Sequence, residues 1–269
     1  MTTVATASGP RMRRTWAIVL EQELRDLWIG GRGLPITFAF SLLLSVMAYL
    51  TATNSALNFL EQRETVNLTL QVGIAVGALL TLLVAADAVS GERERGTLES
   101  LLLTPVSRLG LTLGKLGAAL SLWVAALLVT APYVWFLGRG VGIVGYAFAS
   151  GLVVGTLLAI FLASLGMLVS VFTSSNRVSL SLSLFLLVAL FAPTQLPSGA
   201  QQGRIGDLLL RVNPMTAGER YVGKILVDGH GWHEDVGWLV SPVVAAVLFV
   251  AVACVVGARS LRLSGGLAR

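Results

Sequence analysis

Residues 66–89 read VNLTLQVGIAVGALLTLLVAADAV, and Asp87 is the only charged side chain among them. An α-helix needs about 20 consecutive apolar residues to cross the hydrocarbon core of a bilayer. This stretch meets that requirement, and we interpret it as a transmembrane helix. A charged sequence, SGERER, follows at 90–95, so we expect the chain to leave the membrane there.

Five further apolar runs accompany this one, and together they predict the fold class. The chain has 269 residues, of which 55% are hydrophobic and 12% are charged. Soluble domains carry about 25% charged residues, so this composition disfavours a soluble domain. We predict an all-α polytopic membrane protein whose transmembrane domain of six helices occupies 36–258. The predicted spans cover 36–53, 66–89, 110–137, 142–172, 178–196 and 237–258.

The segment before the first span predicts a helix that lies in the membrane interface. Residues 1–12 are small and polar, and we expect them to be disordered. Over 13–35, apolar side chains recur at helical spacing with charged residues between them, as in interfacial amphipathic helices. Gly30, Gly31 and Pro35 end this helix and turn the chain into the bilayer. Its apolar residues are Trp16, Val19, Leu20, Leu24, Leu27 and Trp28.

The basic residues indicate the orientation of the helices. Of the 19 lysines and arginines, 13 fall on the side that holds both termini and the connection at 90–109. Because cytoplasmic loops carry such an excess, we expect both termini, including the tail at 259–269, to be cytoplasmic in the plasma membrane. The same bias accounts for the net charge of +5, and we predict no nucleic acid partner.

The connection at 90–109, SGERERGTLESLLLTPVSRL, carries the strongest functional signal. Thr97 can cap a short helix that begins at Leu98, with Glu99 in its first turn, where the helix dipole favours an acidic residue. Charges on one flank and leucines on the other predict docking into a groove on a cytoplasmic partner. The alternative is a solvated loop whose charges only enforce the topology.

The longest connection, at 197–236, lies on the predicted outer side and is a candidate site for an outer-face partner. A short amphipathic helix is predicted on its apolar residues Ile205, Leu208, Leu209 and Val212. His230 and His233 stand three residues apart beside two acidic residues. This spacing is a weak indication of a transition-metal site.

Residues 86–108, ADAVSGERERGTLESLLLTPVSR, resemble the cytoplasmic segment of type-2 ATP-binding-cassette (ABC) exporter permeases, which includes a short coupling helix. That family also has an interfacial elbow helix, six spans and a longer outer segment between spans five and six. The resemblance implies a cytoplasmic ATPase subunit as partner and a second permease chain, identical or different. The residues that it makes candidates for ATPase coupling are Glu92, Arg93, Glu94, Arg95, Gly96, Thr97, Leu98, Glu99 and Leu102.

The sequence holds no recognisable ATPase site. The nearest match to the P-loop is GLTLGKL at 110–116, in which the glycines are one residue too close and leucine replaces the hydroxyl residue. No convergent acid–base, nucleophile or metal set is apparent. We therefore expect a chain that is not an enzyme and has no cofactor of its own, with ATP and magnesium on the partner subunit.

Two ionisable residues approach the apolar core near the predicted cytoplasmic side. We expect Asp87 to pair with Arg93 or Arg95, since an isolated charge inside a span is costly. We interpret Lys115 as an anchor whose long side chain extends to the interface.

Two G-x-x-x-G pairs inside the spans predict close approach of helices. Their glycines are Gly73 and Gly77 in the second span, and Gly151 and Gly155 in the fourth. Two interpretations stay open: packing within one chain, or a seam between two chains.

The sequence favours an export permease, with two alternatives from other classes. A secondary transporter driven by an ion gradient usually buries several charges near the membrane midplane, and this sequence places few there. A non-transporting membrane scaffold for an outer-face partner stays open because of the segment at 197–236.

Overall fold

The structure, a computed structural model, describes residues 12–52, 59–98, 107–195 and 203–260. Within these ranges the secondary structure is helical and no strand occurs. The α-helices are α1 (Met12–Trp28), α2 (Gly33–Ala52), α3 (Phe59–Arg95), α4 (Arg108–Gly138), α5 (Val144–Phe172), α6 (Asn176–Phe191), α7 (Arg204–Val212), α8 (Pro214–Leu226) and α9 (Val240–Ser260). Short 3-10 helices at Ala192–Gln195 and Val236–Leu239 follow α6 and precede α9.

Six of these helices are long and apolar enough to span a membrane, which confirms the predicted fold class. They are α2, α3, α4, α5, α6 with its 3-10 extension, and α9 with the 3-10 helix before it. The first span begins at Gly33, so Pro35 lies in the first turn of α2, where its missing N–H is tolerated. The second span is longer than predicted, because α3 continues to Arg95.

The bundle has a buried centre and an exposed periphery. In the most apolar stretch of α5, 67% of the residues are buried inside the chain, against 17% in α2, α6 and α9. Helix α5 packs against α3, α4 and α9, while α3 also contacts α4 and α6. Helices α3 and α5 therefore form the core, and the peripheral helices present their apolar side chains outwards.

Small residues allow the central helices to approach closely. Gly77 of α3 and Gly155 of α5 both lie against the Trp123 ring of α4. The indole Nε1 of Trp123 donates a hydrogen bond to Thr156 Oγ1 at 3.1 Å. The other two predicted glycines also face helices of the same chain, since Gly73 lies against Thr130 and Gly151 against Leu70.

In the described part of the predicted outer loop, from 203 onwards, two helices occur where one short helix was predicted. Helix α7 agrees with the predicted amphipathic helix, and α8 is an additional helix that packs against α3, α5 and α9. Asn213 begins α8, because its side-chain Oδ1 accepts hydrogen bonds from the N–H groups of Met215 and Thr216. Pro214 occupies the first helical position, where proline is favoured.

Some predicted features fall outside the described residues. These are the disordered tail at 1–12 apart from Met12, the coupling residues Glu99 and Leu102, and most of the tail at 259–269. The predicted interfacial helix is described: α1 ends at Trp28, and Gly31 of the following turn has a φ of 86°.

We expect Gly155→Ala to destabilise the bundle. A Cβ atom at Gly155 would stand 2.3 Å from Cη2 of Trp123, and overpacking of this kind costs about 1–3 kcal/mol. Gly145→Ala in the same helix is the control, because a Cβ atom there meets no atom within 4 Å. Thermal unfolding in detergent should show a lower midpoint for Gly155→Ala only, and equal midpoints would contradict the packing described here.

Candidate functional site

The candidate site begins where α3 ends. Gly96 has a φ of 71°, a left-handed conformation that suits glycine after the last helical residue. The N–H of Thr97 donates to the carbonyl of Glu92 at 3.0 Å, and the N–H of Gly96 donates to the carbonyl of Arg93 at 3.2 Å. These two bonds form a Schellman motif. The predicted charged quartet is therefore the last turn of a transmembrane helix, and we call the contacts of 87–98 with the neighbouring helices the α3 junction.

A buried lysine on α4 is the centre of the α3 junction. The Nζ atom of Lys115 lies 2.6 Å from Oε1 of Glu23 on α1 and 2.6 Å from Oε1 of Glu92 on α3. The side chain of Lys115 is 2% exposed. The prediction that Lys115 extends to the interface is therefore wrong, because two carboxylates compensate its charge inside the protein. Three helices meet at this one ammonium group.

The next two residues of the quartet bind the ends of two other helices. The guanidinium of Arg93 donates to the carbonyls of Val171 and Thr173 at the carboxyl end of α5. The carboxylate of Glu94 accepts from the N–H of Asn176, the first residue of α6, at 2.9 Å. Cations favour the carboxyl end of a helix and anions its amino end. Each charge therefore matches the helix end that it contacts.

Arg95 turns back onto α3. Its Nη2 lies 3.3 Å from Oδ2 of Asp87, which confirms one of the two predicted partners of that carboxylate. Arg32, between α1 and α2, approaches the same oxygen at 3.4 Å. The side-chain amide of Asn176 donates to Oδ1 of Asp87 at 2.7 Å. Asp87 thus links α3 to the start of α6 and to the turn before α2.

Serine hydroxyls bond directly to the backbone of α3 in the turn before the quartet. Ser170 Oγ of α5 accepts from the N–H groups of Val89 and Ser90 at 3.0 and 2.8 Å. Ser179 Oγ of α6 donates to the carbonyl of Ala86 at 2.8 Å. Ser90, Ser170 and Ser179 are fully buried. These bonds fix the position of α3 along its axis relative to α5 and α6.

The structure divides the predicted coupling residues into two groups. Those from Glu92 to Leu98 lie at the α3 junction, and Leu98 is buried in an apolar cluster with Val19 of α1 and Leu111 of α4. Leu98 therefore packs within the chain instead of presenting its side chain to a partner. Glu99 and Leu102 lie outside the described residues.

Several residues that contact 87–98 were not among the site residues selected from the sequence. They include Glu23, Lys115 and Asn176. A signal for the first two was available, because Gly114 and Gly117 flank Lys115, and both glycines lie against α1. Glycines beside a charged residue indicate a close helix and hence a nearby partner for the charge. No local signal indicated Asn176, whose contacts lie more than 80 positions away.

The two candidate metal-binding histidines have different surroundings. His230 Nδ1 lies 2.6 Å from Oδ2 of Asp235, whose other oxygen lies 2.5 Å from Nζ of Lys224. The hydrogen bonds from Lys224 and His230 lower the pKa of Asp235 below its usual value. His233 is exposed. Within the described ranges, no group of three potential ligands that could hold a metal ion occurs.

Comparison with known proteins identifies the class of this chain. The family model described as "ABC-2 family transporter protein" matches residues 17–264. The chain therefore belongs to the ABC-2 transporter family and is a multi-pass membrane permease subunit.

A curated relative agrees with this class. It is the "Probable ABC transporter permease protein NosY" of Stutzerimonas stutzeri, which is 34% identical over 163 residues. The match covers 56% of this chain and 58% of that relative.

We expect Lys115→Met to destabilise the protein strongly. Removing one partner of a buried ion pair costs about 3–5 kcal/mol, because an uncompensated charge is left behind. Lys115→Met/Glu92→Gln should recover part of the loss, since the glutamine carries no charge. Thermal unfolding in detergent measures both variants, and a double variant no more stable than Lys115→Met would contradict a direct Lys115–Glu92 interaction.

Exchanging two charges tests whether the order of the quartet matters. Arg93→Glu/Glu94→Arg keeps the net charge and the positive-inside bias, yet it places each charge at the wrong helix end. We expect a lower unfolding midpoint and poorer membrane yield.

The control for this exchange is Glu21→Arg/Arg25→Glu. It swaps an exposed ion pair on α1, which contributes only about 0.3–0.5 kcal/mol. If both exchanges behave like wild type, the quartet acts only as a topology signal.

Proposed function

We propose that this chain is the membrane subunit of an ABC exporter, in which a separate cytoplasmic ATPase drives rearrangement of the spans. The ATPase docks on the coupling segment at 90–109. The protein lies in the plasma membrane, and both of its termini face the cytoplasm. The observation that carries this proposal is the α3 junction. The last turn of α3 makes polar contacts with α4, α5 and α6, and through Lys115 with α1.

The α3 junction gives the proposed docking segment a mechanical connection to the whole bundle. A displacement of the segment acts first on the turn of α3 that precedes it. Because this turn is ion-paired to Lys115 and hydrogen-bonded to the α5–α6 connection, a rigid-body shift of α3 carries these neighbours with it. Packed interfaces respond to such shifts by discrete repacking and not by continuous deformation.

A second permease chain completes the proposed transport pathway. Family membership implies an ATPase partner and a dimeric arrangement in general terms. The peripheral helices have the apolar outer surface that lipid or a second chain requires: Phe38 of α2 is 72% exposed, and Val247 of α9 is 65% exposed. ATP and magnesium belong to the ATPase subunit in this proposal.

The distribution of buried charge favours an ATP-driven permease over a secondary transporter. Among the side chains that the structure describes, Lys115 is the only charged one in the fully buried class. It lies in the second turn of α4 and within the α3 junction. Proton or ion relays in secondary transporters use ionisable groups near the midplane.

Co-purification with an ATPase tests this proposal. The full chain is extracted from native membranes in mild detergent, and ATPase turnover of the recovered complex is measured. We compare wild type with Glu99→Arg/Leu102→Asp, which leaves every junction side chain named above in place. The proposal predicts that the variant recovers less ATPase, or that its turnover falls more than about fivefold, as expected for a coupling energy of at least 1 kcal/mol.

The matched control is Asp207→Ala, which removes an exposed carboxylate on α7. It should recover the ATPase like wild type, and the unfolding midpoints of all three proteins should agree. Equal recovery and equal turnover for Glu99→Arg/Leu102→Asp would exclude docking at this segment. Absence of any ATPase from the wild-type preparation would refute the exporter proposal itself.

A further inference from the structure

A polar cavity lies at the end of the bundle opposite to the α3 junction. Its volume is about 400 Å³, which is within the range of small-molecule sites. Helix α3 contributes Glu64, Asn67 and Gln71 to the lining, and α8 contributes Thr216 and Glu219. The cavity is only partly enclosed by the protein.

One buried hydroxyl in this cavity has no hydrogen-bond partner among the described residues. Thr216 is 3% exposed, and its Oγ1 atom is buried without a hydrogen-bond partner among the described residues. Buried polar groups in native proteins almost always have a partner. A hydroxyl that lacks one and lines a cavity marks a position where a ligand group or a water molecule binds.

The carboxyl group of Glu219 lies in the same lining and is partly buried. It makes no hydrogen bond or ion pair with the described residues. Burial disfavours its ionised form and raises the pKa of Glu219 to about 7. A cation placed beside it would restore the ionised form, because an opposite charge within 4–6 Å lowers the pKa of a carboxyl group.

The two basic side chains of the lining contact Asp235 and Trp238, which lie outside the lining. The Nζ atom of Lys224 lies 2.5 Å from Asp235. The guanidinium of Arg220 lies over the Trp238 ring at 5.4 Å. The lining also contains the exposed carboxylates of Glu64 and Asp228. Acidic groups thus outnumber the basic ones in this cavity, and one of the two basic groups is already ion-paired.

We propose that this cavity binds a small organic cation bearing an ammonium group, with Glu219 as its counter-charge. The ammonium group would donate hydrogen bonds to the Glu219 carboxylate, to Thr216 Oγ1 and to the side-chain oxygen of Gln71. The amide nitrogen of Gln71 donates to Asn67 Oδ1 at 3.2 Å, which leaves the amide oxygen of Gln71 to accept a further hydrogen bond. This site goes beyond the proposed ATP coupling and does not require an ATPase to be occupied.

Protection of Glu219 from a carbodiimide tests this inference. Dicyclohexylcarbodiimide reacts with protonated carboxyl groups, and at pH 8 Glu219 retains a protonated fraction that ordinary carboxyl groups lack. The full chain in nanodiscs is treated with the reagent in the presence of putrescine, 1,4-butanediol or succinate. These probes share a four-carbon chain. Putrescine carries two positive charges, butanediol is neutral, and succinate carries two negative charges. Peptide mass spectrometry measures modification of Glu219, counting both the carbodiimide adduct and the amide formed with the amine.

We expect putrescine to reduce modification of Glu219 by roughly tenfold, which corresponds to a pKa lowered by about one unit. Butanediol and succinate should leave it unchanged at matched ionic strength. Equal or stronger protection by succinate would show an anion site and overturn the proposal. Absence of protection by putrescine at millimolar concentration would overturn it as well.

Thermal unfolding of two variants provides the second measurement. Putrescine should raise the midpoint of wild type and of Glu234→Gln, whose exposed carboxylate lies outside the cavity lining. It should not raise the midpoint of Glu219→Gln, which keeps the shape of the side chain without its charge. A putrescine-dependent rise of equal size in Glu219→Gln would exclude Glu219 as the counter-charge. Neither measurement involves ATP, so the outcome is independent of the exporter proposal.

Discussion

The burial of one ammonium group constrains much of this structure. Lys115 is held away from water between Glu23 and Glu92, and a charge in such a place is tolerated only while its partners stay in contact. Because the three residues belong to α4, α1 and α3, none of these helices can move independently without exposing or isolating a charge. The second oxygen of Glu92 is buried without a partner in the described part of the chain. The buried carboxylate oxygen without a partner lowers the net contribution of the cluster to stability.

The order of charges in the quartet follows from what surrounds the end of α3. Glutamate at 92 meets a lysine, arginine at 93 meets carbonyl groups, and glutamate at 94 meets an N–H group. The last two contacts belong to the adjoining ends of α5 and α6, which have opposite dipole ends. The buried serines of the preceding turn add hydrogen bonds that leave α3 little freedom to slide. Alternating charge here reflects a three-dimensional arrangement of helix ends, and its positive-inside effect is additional.

Hydropathy and helical periodicity predict the six spans and α7, since each depends on the side chains of one segment. Long-range contacts are beyond such patterns. Lys115 was misinterpreted because its two carboxylates lie 92 and 23 positions away. Helix α8 was missed because Glu219, Arg220 and Lys224 interrupt its apolar pattern, although Asn213 and Pro214 mark its beginning. In the candidate site, the quartet was recognisable as important, whereas the partner of each charge required the fold.

The length of α3 has a geometrical consequence. From Phe59 to Arg95 it is one helix of 37 residues, about 55 Å long at 1.5 Å per residue. Glu64, in the cavity lining, stands near one end, and Glu94 stands near the other. Because α3 is this long, a tilt of about 5° around one end moves the other end by roughly 5 Å. Because the α3 junction holds that opposite end against α1, α4, α5 and α6, a tilt of α3 around the cavity end requires the ion pairs and helix ends of the junction to shift with it.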